Sequence, residues 1–375
     1  MKILAFSQVF PRYQGDTTAP FLLQWCEALH RENFEVTMVV PHAAGLSLHE
    51  TWENVTIRRF RYGRDTQEVL CYTNEMHNVA FRSLRAFFRL LVYLWSAFWA
   101  VRTQLRSQKY DRLVVHWGIP SGVVALALRI TTGQRYTIIS HGTDIRLYSK
   151  LGPLKRVFRP IWSMAEKRFT VSNFLERTLG MECTVLPMPL SEQYESPRVP
   201  PRDDSLFRIL YVGRLSEQKR VAMIIEALMV RPIPHNWRLG IVGDGATKST
   251  LQQLSAPIAA HIEWYDPVSP QELPVHYGGA DVMILPSVNE GFGLVLVEAM
   301  AYGCYLLGAD SGAIPEIITD DSVGLLFSTV QQMRDCIDTC ARSHLSAQKS
   351  SAHFTARYAP SRIAAQWAAA LGSGS

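Results

Sequence analysis

The stretch that decides the fold class is Ala280–Gly303, which reads ADVMILPSVNEGFGLVLVEAMAYG in this 375-residue chain. It predicts a buried strand at Val282–Leu285, a short loop holding Glu290, and a helix from near Gly293 to Gly303. A loop that leads from the carboxyl end of a parallel strand into a helix presents free N–H groups and the positive end of the helix dipole. The stretch therefore predicts a phosphate or diphosphate site in an α/β domain.

Two carboxylates flank the predicted anion site. Glu290 precedes the helix and Glu298 lies eight residues later, one to two turns along it. Carboxylates next to a diphosphate would be repelled, so hydroxyl groups such as those of sugars are the better partners for them. The alternative interpretation makes Glu290 a helix-capping acid and Glu298 a surface residue, and the two carboxylates alone do not decide between these interpretations.

Other candidate ligand-binding segments also follow predicted strands. The carboxyl ends of parallel strands are where open α/β sheets bind ligands. The segment YVGRLSEQK places two cations directly after a strand, where they are suited to neutralise a diphosphate leaving group. The residues in these segments are Arg214 and Lys219, Gly243 and Gly245, His141 and Asp144, and Gly15 and Asp16.

Strands and helices alternate along both halves of the chain, which favours doubly wound parallel sheets. The halves differ in charge: residues 1–190 carry a net +10 and residues 191–375 a net −5. A proline-rich polar stretch separates them. We therefore predict two Rossmann-like doubly wound domains, the first over 1–190 and the second over 207–355, joined by a linker over 191–206 and followed by a helix over 356–371 that packs back on the first domain.

The segment Phe81–Arg106 combines a cationic helix face with many aromatic residues. Arg82, Arg85 and Arg89 share that face, but the uncharged apolar stretch between the arginines is only 12 residues long. A spanning helix needs about 20 residues. Two interpretations remain: a buried domain helix with an exposed basic stripe, or a helix that rests on an anionic membrane surface.

Several other classes of protein lack their sequence signatures here. No Asp-x-Asp triplet, His-Glu-x-x-His, C-x-x-C, Gly-x-Ser-x-Gly or Walker loop occurs in the chain. We expect no metal and no cofactor. The six scattered cysteines are typical of a reduced cytoplasmic protein, and the basic N-terminal half carries no recognised nucleic-acid-binding motif.

The combination of G-R-(x4)-K, GDG, ADV-(x3)-PS and E-G-F-G-(x4)-E-A-M-A-x-G resembles glycosyltransferase family 4. The resemblance covers nearly the whole chain and is strongest from Arg208 to Phe327. It implies the GT-B architecture, in which an acceptor-binding N-terminal domain (1–190) and a nucleotide-sugar-binding C-terminal domain (207–355) face a cleft. It also implies a retaining transfer, usually with an α linkage, from a nucleotide-sugar donor. One departure is Asp16, which follows Gly15 where a second glycine is common; an acid at that position would be explained if it pointed toward the acceptor.

The resemblance also implies roles for the candidate residues. In the second domain, Glu290 would contact the donor sugar and Glu298 the ribose, while Arg214 and Lys219 would hold the diphosphate. Backbone N–H groups would help to bind the diphosphate, and two glycines would line the nucleotide side. The N–H groups are those of Phe292, Gly293 and Leu294, and the two glycines are Gly243 and Gly245.

In the first domain, the resemblance implies that Gly15 and its neighbour Asp16 close over the diphosphate. His141 would face the donor sugar across the cleft, and Asp144 would support the loop of His141. We expect Glu290, His141, Arg214 and Lys219 to be catalytic.

The sequence thus predicts a cytoplasmic, metal-independent retaining glycosyltransferase of surface polysaccharide or glycolipid assembly. Its partners would be a nucleotide-sugar donor, a saccharide or lipid-linked saccharide acceptor and, through Arg82, Arg85 and Arg89, the inner face of the membrane, but no nucleic acid. The alternatives are a nucleotide-sugar 2-epimerase of the same architecture and a non-catalytic subunit that binds nucleotide sugars.

Overall fold

The chain forms two compact units, each built on its own parallel sheet. The computed structural model describes residues 1–68, 70–72, 83–198, 205–342 and 347–373. One unit comprises Met1–Ser191 together with the residues from Ile363 onward, and the other comprises Glu192–Arg362. The predicted fold class, with two Rossmann-like domains, is confirmed.

In its described residues the N-terminal unit has a sheet of eight strands in the order β3-β4-β2-β1-β5-β6-β7-β8. All neighbouring strands are parallel except β3 and β4, which are antiparallel. The strands are β1 Lys2–Phe6, β2 Glu35–Pro41, β3 His49–Trp52, β4 Val55–Phe60, β5 Arg112–His116, β6 Thr137–Ser140, β7 Lys167–Thr170 and β8 Thr184–Val185. The helices are α1 Pro20–Arg31, α2 Leu84–Ser107, α3 Ser121–Thr132, α4 Thr143–Ser149, α5 Lys155–Phe158, α6 Pro160–Ser163 and α7 Asn173–Leu179.

The C-terminal unit has a parallel sheet of six strands, as far as the chain is described, in the order β11-β10-β9-β12-β13-β14. Its strands are β9 Phe207–Val212, β10 Trp237–Val242, β11 Ile262–Tyr265, β12 Val282–Leu285, β13 Tyr305–Ala309 and β14 Gly324–Phe327. The helices are α8 Ala222–Met229, α9 Lys248–Leu254, α10 Leu273–Gly278, α11 Leu294–Ala301, α12 Ile314–Ile317, α13 Val330–Arg342, α14 Ala347–Tyr358 and α15 Pro360–Gly372.

The central strands of both sheets are buried on their two faces. All five residues of β5 and all four of β12 are buried, because crossover helices cover both sides of a parallel sheet. In the C-terminal sheet, β10 and β11 follow β9 toward one edge, whereas β13 and β14 follow β12 toward the other. The strand order therefore reverses between β9 and β12. The loops after these strands therefore lie at the switch point, where open α/β sheets bind ligands.

The boundaries of the units differ from the predicted ones in two places. The start of the predicted 191–206 linker is not free chain, since Tyr194 is 1% exposed and its ring packs edge-on against Tyr302, with centroids 5.9 Å apart. Residues 199–204 of that linker lie outside the described residues. At the other end, the chain rejoins the N-terminal unit at Ile363, within α15, rather than at residue 356.

Helix α2 is only partly buried. Its inner face holds Tyr93, Ala97 and Val101, all 0% exposed, whereas Trp95 on the outer face is 65% exposed. The helix thus packs on the domain through one face and exposes Arg85 and Arg89, as the interpretation with a basic stripe predicts, but its outer face also carries exposed aromatic side chains. Among the helices in the described part of the chain, none has both the length and the apolar character needed to cross a bilayer.

Candidate functional site

The loop that joins β12 to α11 is held by backbone contacts from the two neighbouring loops. Val288 donates its N–H to the carbonyl oxygen of Gln218 at 3.1 Å, on the side of β9. Ala313 donates its N–H to the carbonyl oxygen of Glu290 at 3.0 Å, on the side of β13. Three chain segments that are distant in sequence therefore fix the position of Glu290.

Gly312 makes the closest approach to this loop. Its φ is +65°, and a Cβ atom added there would lie 2.5 Å from the backbone nitrogen of Glu290. Such a distance is too short for any side chain, so only glycine fits beneath the loop. The sequence analysis did not single out Gly312, because it lies 22 residues from Glu290 and no local motif marks it.

The structure brings Lys219 and Glu290 into direct contact. Lys219 Nζ donates to Glu290 Oε2 at 2.7 Å, and the two side chains are 22% and 17% exposed. The carboxylate is thus paired with a cation from the loop after β9. This pairing favours the ligand-site interpretation of Glu290 over the helix-capping one.

The first turn of α11 begins at a buried glycine. Gly293 precedes the helix with a φ of +101°, a left-handed conformation that favours glycine. Phe292 and Leu294, on either side of it, are partly exposed. The first N–H groups of the helix and its dipole favour negative charge at this end.

Glu298 lies in the buried part of α11 and not on the surface, so the surface interpretation of this residue is wrong. Its side chain is 9% exposed, and its Oε2 accepts a hydrogen bond from the Tyr277 hydroxyl at 2.6 Å. Burial raises the pKa of Glu298 to about 7, although the bond from Tyr277 opposes the rise. The carboxyl group therefore changes charge near neutral pH.

Two glycine-containing loops pack against each other at the ends of β9 and β10. Gly213 donates its N–H to the carbonyl oxygen of Val242 at 3.0 Å, and Leu215 donates to that of Asp244 at 2.9 Å. A Cβ on Gly243 would lie 2.0 Å from the carbonyl oxygen of Gly213, and one on Gly245 would lie 2.1 Å from that of Leu215. This close packing sets the backbone that carries Arg214, whose side chain is exposed.

In the N-terminal unit, His141 belongs to a buried aromatic cluster. Its Nε2 lies 3.0 Å from Nδ1 of His116, and the ring of Trp117 packs 4.6 Å from its own. Burial lowers the pKa of His116 to about 3 and that of His141 well below its usual range, where the nearby His116 contributes a smaller effect. Both rings are therefore neutral at neutral pH. His116 was not singled out from the sequence because it is the last residue of an apolar strand.

Asp144 organises the backbone around His141. It is 1% exposed and accepts hydrogen bonds from the N–H groups of Gly118 at 2.7 Å, Gly142 at 3.0 Å and His141 at 3.3 Å. Burial raises the pKa of Asp144, and the bonds from backbone N–H groups partly offset the rise.

Asp16 uses its carboxylate inside its own loop. It is 2% exposed and accepts hydrogen bonds from Nε of Arg12 at 2.8 Å and from the N–H of Thr18 at 3.1 Å. Burial alone would raise the pKa of Asp16, but these bonds outweigh it and the pKa lies below its usual range. The carboxylate shapes the loop whose backbone turns at Gly15, with a φ of +88°.

One cluster with the geometry of a metal site occurs among the described residues, and an arginine sits beside it. His42, Asp65 and Glu68 form this cluster. Nδ1 of His42 lies 2.5 Å from Glu68 Oε2 and its Nε2 lies 2.8 Å from the carbonyl oxygen of Leu46, so both ring nitrogens have protein partners. Arg61 pairs with both carboxylates. These residues form an ion-pair network, which fits a role in holding the loop after β4.

The predicted site residues thus fall into two groups. At the carboxyl edge of the C-terminal sheet, the structure brings Lys219 to Glu290 and places Glu298 behind them on α11. In the N-terminal unit, Phe21, six residues after Gly15, packs its ring 5.1 Å from that of His141. Tyr277, Gly312 and His116 are the contacts that the sequence analysis missed.

Models of two protein families match the chain. The family described as "Glycosyl transferases group 1" matches residues 192–348, and the family described as "Glycosyl transferase 4-like domain" matches residues 17–180. An uncharacterised glycosyltransferase of Methanocaldococcus jannaschii is 25% identical over 76% of this chain and 81% of its own length. A putative teichuronic acid biosynthesis glycosyltransferase of Bacillus subtilis is 26% identical over 58% of each chain.

A solved structure shows the same fold over the full length. The Anabaena protein HepE, crystallised in complex with UDP-glucose, superposes with a TM-score of 0.73 at 17% identity, and the match covers 100% of both chains. At this level of identity the likeness concerns the fold.

Proposed function

Because the chain belongs to the family 4-like glycosyltransferases of GT-B fold, it is a glycosyltransferase, and we propose that it is a retaining one that uses a nucleotide-sugar donor. The observation that carries the proposal is the pairing of Lys219 with Glu290 in the loop that leads into the first turn of α11. A cation, a carboxylate and a helix N-terminus at one point suit a ligand in which a sugar is joined to a diphosphate. HepE, which has this fold, was crystallised with such a ligand.

In this proposal each part of the donor meets a group of matching charge. The hydroxyls of the sugar donate to Glu290, and the diphosphate lies between Lys219, Arg214 and the N–H groups at Phe292, Gly293 and Leu294. The ribose hydroxyls donate to Glu298, while the backbone at Gly243 and Gly245 borders the nucleotide. Gly15 and His141 are the proposed donor contacts of the N-terminal domain, and Asp144 acts through the loop of His141.

The proposed reaction breaks the bond between the anomeric carbon and the diphosphate oxygen. An acceptor hydroxyl forms the new bond on the same face of the sugar, and its proton passes to the departing phosphate oxygen. The products are an α-glycoside and a nucleoside diphosphate. Lys219, Arg214 and the helix dipole stabilise the negative charge that grows on the diphosphate, so we propose that transfer proceeds without a metal ion.

We further propose that the acceptor is a lipid-linked saccharide, and that the enzyme works on the inner face of the cytoplasmic membrane in polysaccharide or glycolipid assembly. The +10 charge of residues 1–190 and the exposed side chains of Arg85 and Arg89 support this location. Arg82, the third predicted lipid contact, lies outside the described residues. The relative from Bacillus subtilis is named for the biosynthesis of teichuronic acid.

The test compares two lysines of the same domain. Lys219 pairs with Glu290 at 2.7 Å, and Lys248 pairs with Asp266 at 2.6 Å; their side chains are 22% and 24% exposed. We expect Lys219→Ala to lower the rate of sugar transfer about 100-fold or more, whereas Lys248→Ala leaves it within about twofold. Donor screening by thermal shift with UDP-, GDP-, ADP- and dTDP-sugars identifies the nucleotide, and product analysis then follows transfer with magnesium and with a chelator.

Each result has a definite meaning for the proposal. Equal activity of Lys219→Ala and Lys248→Ala would show that Lys219 does not stabilise the diphosphate. A product with inverted anomeric configuration would show that the enzyme is not a retaining one. Loss of transfer in the presence of the chelator would show that a metal is required. A new sugar epimer formed without acceptor would favour the epimerase alternative.

A further inference from the structure

Helix α2 carries an exposed apolar face that the N-terminal sheet does not cover. Phe88, Trp95 and Val92 are 62%, 65% and 50% exposed. The opposite face of the same helix packs on the sheet through Tyr93 and Ala97, both 0% exposed. Large apolar side chains that cluster in this way on a surface mark a site of interaction.

A second exposed apolar ridge lies on the segment from Lys150 to Met164, which includes the short helices α5 and α6. Leu154 and Val157 are 57% and 66% exposed, and Met164 is 43% exposed. The sequence analysis did not identify this ridge, because the segment is short and irregular and shows no helical periodicity.

Both ridges belong to one face of the N-terminal unit. Helix α2 packs on α3, and α3 packs on α6. All three lie in connections that step in the same direction through the sheet, from β4 to β5, β6 and β7. Right-handed crossovers place such connections on the same side. Helix α3 packs against both α2 and α6, and its Ile130 is 67% exposed.

The charge around these ridges has a single sign. Residues 83–165 contain 13 lysines and arginines and only two acids, Asp111 and Asp144. Asp144 is buried, and Asp111 accepts a hydrogen bond from the Lys2 N–H at 2.7 Å. Arg89 on α2 and Arg156 beside Val157 are exposed. Each of the two ridges therefore carries an exposed cation on the same element as its apolar side chains.

We propose that the outer side of α2 and the segment Lys150–Met164 together form one docking surface for an anionic bilayer. The apolar tips enter the boundary between headgroups and acyl chains, and the arginines meet lipid phosphates. The excess of positive charge beside exposed apolar side chains suits an anionic lipid surface, which attracts basic segments that lie next to its apolar boundary. The inference rests on the proposed membrane location, to which it adds a second element, and not on the donor chemistry.

The test uses two valines with similar exposure. Val157 is 66% exposed on the proposed surface, and Val275 is 71% exposed on α10 of the C-terminal unit. Replacing either by aspartate changes the net charge equally. The full chain is sedimented with phosphatidylcholine vesicles with and without phosphatidylglycerol. We expect binding only to the anionic vesicles, a loss of about tenfold or more in partition for Val157→Asp and Trp95→Ser, and no change for Val275→Asp.

Other outcomes would overturn the inference. Val157→Asp that binds as tightly as Val275→Asp would exclude the second ridge, and absence of binding to anionic vesicles at low salt would exclude the surface as a whole. Sedimentation velocity without lipid tests the rival occupant: a dimer that Val157→Asp dissociates would assign the face to a second copy of the chain. Nucleotide thermal shift provides a separate readout, because Val157→Asp leaves the donor site unchanged, and a missing shift in the unmodified chain would count against the proposed function alone.

Discussion

At the scale of single residues, the carboxyl group of Glu298 is the most sensitive part of the candidate donor site. Burial raises its pKa to about 7, so the folded protein keeps a proton that the unfolded chain has already released. Its contribution to folding stability therefore falls as the pH rises from the ordinary carboxyl range through about 7. The ionised carboxylate is the stronger acceptor for the ribose hydroxyls that the proposed function assigns to Glu298. We therefore predict that nucleotide binding and folding stability respond to pH in opposite directions at this residue.

We predict that Tyr277→Phe weakens nucleotide binding and shifts its pH dependence upward. The hydroxyl of Tyr277 donates to Glu298 Oε2 at 2.6 Å and favours the ionised form. Without it the pKa of Glu298 rises further, and we expect the dissociation constant near neutral pH to increase about five- to tenfold. Calorimetric titration of the nucleotide identified by thermal shift, between about pH 6 and about pH 8.5, measures both effects.

Two variants make this prediction specific. Glu298→Gln cannot ionise and should bind weakly with no pH dependence near 7. Tyr194→Phe is the matched control, because Tyr194 is a buried tyrosine of the same cluster whose hydroxyl has no hydrogen-bond partner among the described residues. Unchanged pH dependence in Tyr277→Phe would mean that the tyrosine does not position Glu298.

At the scale of elements, the loop between β12 and α11 depends on the neighbouring loop after β13. We predict that Gly312→Ala lowers sugar transfer about 100-fold or more, because a Cβ placed 2.5 Å from the Glu290 nitrogen must displace that loop. Steady-state kinetics measure the loss, and thermal unfolding measures the accompanying change in stability.

Gly180→Ala separates displacement of the loop from backbone strain. Gly180 has a φ of +69°, close to the +65° of Gly312, but a Cβ there would have no atom within 4 Å. In both variants the left-handed backbone conformation of the new alanine lowers the folding stability by about 1–2 kcal/mol. If Gly180→Ala lost as much activity as Gly312→Ala, backbone strain alone would explain the effect. The close approach of Gly312 to the Glu290 loop would then have no specific role.

The elements that sequence patterns predicted best are the buried strands. The strand Val282–Leu285 matches its predicted bounds, since a strand covered on both faces is a continuous apolar run. The strand His49–Trp52 was missed, because an edge strand tolerates polar residues and pairs only with β4. The bounds of strands thus follow from burial, which the sequence shows directly.

The candidate site was predictable where one motif supplies its residues and not where several segments meet. Glu290 and Glu298 stand eight residues apart in a recognisable pattern, so both were identified as candidates. Their partners Tyr277 and Gly312 come from α10 and from the loop after β13, and only the folded sheet brings them together. Asp16 became a candidate through its position in the loop after β1 and through the family resemblance, and only the structure shows that its carboxylate binds Arg12 in the same loop.

At the scale of the whole molecule, the N-terminal domain contains a segment that follows the C-terminal domain in the sequence. Residues from Ile363 onward belong to the N-terminal unit, where Trp367 is 0% exposed and donates its Nε1–H to the Pro187 carbonyl oxygen at 2.8 Å. The same indole packs against Phe169 with ring centroids 5.0 Å apart. The core of the first domain is therefore incomplete until the last helix has been made.

We predict from this path that Trp367→Ala destabilises the N-terminal unit by about 3–5 kcal/mol, the usual cost of truncating a buried tryptophan. The matched control is Trp95→Ala: Trp95 is 65% exposed in the same unit, and we expect a change within about 0.5 kcal/mol. Urea unfolding measures both values, and nucleotide binding should survive in Trp367→Ala under folding conditions, because Lys219, Glu290 and Glu298 all belong to the other unit. Equal stability of the two tryptophan variants would contradict the prediction, since the last helix would then add nothing to the core of the domain it joins.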